Sequence, residues 1–81
     1  MSYEISKEIK ETLDRYVNDR IPTGGFLRAV LANDLFEAVG RADIFNQRAL
    51  VQICGYIYND IPSSCWGSYE IVDKWLEKGG E

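Results

Sequence analysis

Histidine is absent from this chain of 81 residues, and there are two cysteines, two prolines and one methionine. Each scarcity closes off a chemistry. Without histidine, the commonest general base and the imidazole ligands of zinc sites are both missing. Cys54 and Cys65 are separated by ten residues and form no Cys-x-x-Cys pair, so a zinc centre has too few ligands. Both read as reduced thiols, and their spacing leaves a bridge between them open. No apolar run approaches the ~20 residues of a membrane span. From Ser2 to Asp19 charge alternates with single apolar residues, which excludes the apolar core of a signal peptide there. Neither a P-loop nor a dinucleotide fingerprint is present. The expectation is a soluble, cytoplasmic protein with no cofactor, no metal and no membrane partner.

What is present is apolar content. Hydrophobic residues make up 46% and charged residues 27%, too apolar for a disordered chain. The length allows one domain, residues 1–81, with a modest core. The net charge is −4, unevenly spread. Residues 1–19 carry a net −2, residues 20–48 a net +1 and residues 49–81 a net −3. Phosphate binding normally needs a basic face. The small arginine-bearing middle segment is a poor one, and nucleic acid is disfavoured as a partner.

The apolar residues recur with helical spacing. Ile5, Ile9, Leu13, Tyr16 and Val17 form one stripe, opposite charge pairs such as Lys7 with Glu11. Ser2 or Ser6 caps this first helix, and Pro22 stops it. Thr23-Gly24-Gly25 turns the chain, with Thr23 the expected cap of a second helix bearing Phe26, Leu27, Val30 and Leu31. Asn33 closes it in a left-handed conformation. Asp34 with Glu37 reads as a capping box for a third helix, with Leu35, Phe36, Ala38 and Val39 apolar and Gly40 its stop. Asp43 caps a fourth, whose stripe is Leu50, Val51, Cys54, Ile57 and Tyr58, widened by Ile53 and Ile61. This is the expected central helix, ended by Pro62. Gly55 within it fits a close helix crossing. After a loop over residues 63–67, Ser68 caps a fifth helix with Ile71, Val72, Trp75 and Leu76. Lys78 falls in its last turn, and Gly79-Gly80 end it. No strand pattern appears.

The expected fold is all-α, a small irregular or orthogonal bundle of about five short helices. Its core is expected to be mostly Phe26, Leu27, Val30, Leu31, Phe36, Val39, Leu50, Ile53, Cys54, Ile57, Trp75 and Leu76. Tyr16–Thr23 and Tyr56–Ser63 echo each other with a one-residue slip. Two helical hairpins, or two helix stops with the same punctuation, both account for it.

Three stretches carry a further likeness: residues 21–31 (IPTGGFLRAVL), 33–38 (NDLFEA) and 65–68 (CWGS). On these, the chain from the first helix to Trp75 resembles a group of short uncharacterised proteins encoded in phages, prophages and bacterial genomes. The resemblance implies a bacterial or phage setting. It brings no activity and therefore no functional residue.

Two segments are candidate sites. At the Thr23-Gly24-Gly25 turn, backbone N–H groups can face an anion, with Arg20 and Arg28 completing a phosphate or carboxylate site. A tight helix–helix turn accounts for the same residues. In the 65–69 segment, Trp66 and Tyr69 can anchor a partner, or Trp66 can fold back on its own core. The carboxylates Glu4, Glu8, Glu11 and Asp14 read as a solvated helix face. Helices two to four could form a helix-turn-helix, but its reading helix would mix Arg41 and Arg48 with Asp43, Asn46 and Gln47. The leading expectation is a non-enzymatic module that binds a protein partner, with self-association as a second. A nucleotide- or phosphate-binding protein is the alternative, and a DNA binder ranks third.

Overall fold

The computed structural model describes residues 5–77. Ser2, Glu4, Lys78, Gly79 and Gly80, which entered the sequence reading, lie outside them. The described residues form an all-α bundle of α1 (Lys7–Asp19), α2 (Gly25–Leu31), α3 (Leu35–Arg41), α4 (Ile44–Asp60) and α5 (Tyr69–Glu77), with a 3₁₀ turn at Ser63–Cys65. No strand occurs among them.

Local chemistry sets most helix starts. The Ser6, Asp34, Asp43 and Ser68 side chains accept hydrogen bonds from the N–H groups of Ile9, Glu37, Asn46 and Ile71, satisfying donors that the first turn leaves free. Two expected caps differ. At α2 the cap is Gly24, at φ 103°, and the Thr23 hydroxyl donates to the Gly24 carbonyl, so it makes no cap bond. At α3 only half of the box forms. Glu37 does not close it, because its carboxylate pairs with Arg41 at 2.6 Å. Gly40 does not stop α3, which runs on to Arg41.

The two echoed helix ends also differ. Arg20 closes α1 in the left-handed region at φ 54°, whereas Ile61 closes α4 in an extended conformation. Asn33 adopts the expected left-handed geometry, at φ 62°.

The core gathers Leu13, Tyr16, Leu27, Leu31, Ile53, Ile57 and Val72 from the helices, with Ile61 and Cys65 from the α4–α5 connection. α2 packs most closely on α3 and α5, and the small Ala29, Ala32 and Ala38 are buried. Three buried or part-buried hydrogen bonds lock the connections. The Tyr16 hydroxyl donates to the Cys65 carbonyl at 2.7 Å, and the Trp75 indole donates to the Tyr16 carbonyl at 2.9 Å. The Trp66 indole donates to the Ile61 carbonyl at 3.0 Å. The Gly67 N–H adds a backbone bond to Leu31 at 2.7 Å.

Several residues expected in the core are on the surface: Phe36, Val39 and Cys54 are exposed, as are Val51 and Tyr58 of the expected α4 stripe. Leu50, Phe26, Val30, Trp75 and Leu76 are half-buried. The reason is geometric. α4 is apolar on two sides, and the Ile53–Ile57 side won the core. Its other side lies beside α3, which at 7 residues is about 10 Å long against about 25 Å for α4. So short a helix cannot cover it.

Candidate functional site

That uncovered side is the most distinctive surface among the described residues. Ile44, Val51 and Tyr58 recur every seven residues and so stand in one line along α4. Cys54 and Leu50 lie beside them. Leu35, Leu50, Cys54 and Ala38, together with Asp34, border a small hollow between α3 and α4. Val51, Cys54, Tyr58 and Trp66 border a larger one of about 440 Å³, floored by Val30 and Ile57 and walled by Gly55. Cys54, Val30 and Asn33 border both, so the two hollows belong to one continuous apolar face. On α3, Val39 follows Leu35 at i+4, and Phe36 neighbours Val39 at the i,i+3 spacing. Phe36 is 90% exposed, Val51 81% and Tyr58 72%. Isolated exposed apolar residues are ordinary, but a contiguous set marks a contact surface.

Trp66 sits at the rim, part-buried, its ring 5.9 Å from that of Tyr58. Both readings of Trp66 therefore meet in one residue, since it packs on the core and lines the groove. Tyr69 is placed differently. Its hydroxyl donates to Asp34 at 2.8 Å, and Arg28 lies over its ring at 5.1 Å. It joins the start of α5 to the start of α3 and lines neither hollow itself, although its partner Asp34 borders the smaller one. The Tyr69 phenol is raised above its ordinary range, chiefly by that hydrogen bond to Asp34. Cys54 is a free thiol on the face, and desolvation by its apolar surroundings pushes it up. A raised thiol is a weak nucleophile at neutral pH.

The residues of the Thr23–Gly25 turn are spread over separate surroundings. Arg28 pairs with Asp73 at 2.7 Å, and that hydrogen bond holds the Asp73 carboxyl below its usual range. Arg20 lies over the Trp75 ring at 4.0 Å. Two hollows flank the turn. The larger, about 570 Å³, has Glu8 and Asp43 as its charged lining. The smaller, about 230 Å³, is lined by Arg28 but not Arg20. The sequence did not place Arg41 at this turn, yet its guanidinium stands 2.8 Å from where a Cβ on Gly25 would be. It too is engaged, by Glu37. Arg28 and Arg41 are thus paired with carboxylates, whereas Arg20 stacks on Trp75 and its buried Nε has no hydrogen-bond partner.

Among the described residues no three His, Cys, Asp or Glu side chains are grouped to hold a metal ion. Among them no helix is long and apolar enough to cross a membrane. No family model, no curated protein and no solved structure matches the chain.

Proposed function

We propose that this chain is a non-enzymatic protein-interaction module that binds through the outer face of α3 and α4. The exposure of Val51 and Tyr58 beside two adjoining hollows that Leu35 and Cys54 also border, with Phe36 exposed next along α3, carries the reading. Exposing such side chains costs solvation free energy that burial by a partner would recover. Its large rings and branched chains suit an interface core, where charge is depleted and aromatics are enriched. Between Asp43 and Asp60 the only charged residue is Arg48. Two free cysteines fit action in a reducing cytoplasm, and the likeness to phage, prophage and bacterial proteins makes a bacterial cell the place to look.

The test is capture from bacterial lysate with the immobilised chain, side by side with Val51→Glu. Val51 is 81% exposed, so the variant keeps the fold. The reading expects a specific bound protein that Val51→Glu loses. Equal capture by both proteins would refute it. The anion-binding alternative rests on Arg20, Thr23, Gly24, Gly25 and Arg28, and a thermal-shift panel of phosphate and nucleotides separates it. A ligand at that turn raises the melting point, and an interaction module is indifferent.

A further inference from the structure

We infer that the occupant of the α3–α4 face is a second copy of this chain. The inference rests on the reading of that face as a docking surface and adds the identity of what docks.

The first argument is area. Phe36, Val51 and Tyr58 are joined by Leu35 and Ile44, each 55% exposed, and by Val39 at 41%. At roughly 150–250 Å² for a large side chain, these six present about 700 Å² of apolar surface. The largest patch on a typical monomer is roughly 300–600 Å². A standard interface takes about 800 Å² from each partner, which this face supplies once its polar margin is included. The shape points the same way. The face is two helices broad. A single partner helix, about 10 Å across, would fill the groove between Val51, Tyr58 and Trp66 and leave Leu35, Phe36 and Val39 in water. A second two-helix layer covers both parts and completes a helix-on-helix architecture.

The second argument is charge. Copies with a net charge of −4 repel. Residues 34–59 hold Asp34, Glu37 and Asp43 against Arg41 and Arg48, a net of −1; Asp34, which borders the small hollow, accepts from the Tyr69 hydroxyl, and Glu37 is already paired with Arg41. The acids that give the chain its sign lie mostly on α1 and α5. The one broad apolar face is thus also the face on which two copies meet with little opposing like charge. A strongly charged partner would find nothing there to complement it.

The third is position. Cys54 borders both hollows and so lies near the middle of the face. A twofold axis near it sets the Val51–Cys54–Tyr58 line against its own image, the self-complementary arrangement of a symmetric dimer.

Sedimentation equilibrium from micromolar to millimolar concentration tests this, with circular dichroism to confirm the fold of every variant. The native chain is expected to dimerise. Val51→Glu and Phe36→Glu should each weaken the dimer at least about 100-fold, because symmetry buries each new charge twice. Phe45→Glu is the control. Phe45 is 75% exposed but borders the hollow beside α1, so its dimer should match the native one. A native chain that stays monomeric throughout overturns the inference, as does a dimer that survives Val51→Glu and Phe36→Glu. Two failures are distinguishable. If the native chain is monomeric but Val51→Glu loses a different captured protein, only the second copy is wrong. If it is monomeric and capture is unchanged, the reading of the face falls as well.

Discussion

Replacing Tyr16 by phenylalanine probes the bond that ties α1 to the α4–α5 connection. The Tyr16 ring is 1% exposed, and its hydroxyl donates to the Cys65 carbonyl at 2.7 Å. Phenylalanine keeps the packing and removes the donor, leaving a buried carbonyl without that partner. Such a loss costs about 1–3 kcal/mol. In a domain of this size each kcal/mol lowers Tm by about 4–8 °C. The same bond sets a pH dependence. Burial, the largest cause, and the nearby Cys65 hold the Tyr16 phenol far above its ordinary value of 10.0. A folded-state value raised above the unfolded one means full stability below pH 10 and progressive loss above it, because the unfolded chain gives up the proton first. Urea melts followed by circular dichroism at neutral pH and at several pH values above 10 measure both effects. Tyr16→Phe should be less stable at pH 7 and lose less on going alkaline. A variant with the native midpoint at pH 7 and the native alkaline slope would refute the assignment.

Gly67 sits at φ 134°, and a Cβ there would meet Ile71 Cδ1 at 3.2 Å. Gly67→Ala should therefore cost about 1–3 kcal/mol in urea melts. Asp43→Ala removes the cap of α4 and should cost about 1 kcal/mol by the same assay, with little change in m. In native protein a thiol reagent should label Cys54, which is exposed, and reach Cys65, which is buried, only on unfolding. Equal labelling rates, read by intact mass, would contradict the placement of Cys65.

Features that depend on a few neighbouring residues were legible in the sequence. The Ser6, Asp34, Asp43 and Ser68 caps, the left-handed Asn33 and the α1 stripe that buries Leu13 and Tyr16 all follow from local chemistry. Features that depend on what lies opposite were not. α4 is apolar at Ile53 and Ile57 and again at Val51, Cys54 and Tyr58, and periodicity does not say which line faces inward. The answer lay in which elements pack against each side of α4, a tertiary fact. Buried alanines gave no signal, because Ala29, Ala32 and Ala38 matter for how closely helices approach rather than for hydrophobic pattern. The exposed apolar face was hidden for the same reason: Phe36 and Val39 look like core residues by pattern, and no described element covers them. Trp66 and Tyr69 drew notice as aromatics near a cap, but only Trp66 borders the groove.

Site-specific photo-crosslinking measures the central claim most directly. A photoreactive phenylalanine analogue placed at Val51, and in a separate protein at Phe45, is irradiated in bacterial cells expressing the chain. The account predicts a discrete adduct from position 51, whether to a second copy or to another protein, and none from position 45. An adduct from position 45 with none from position 51 would contradict it.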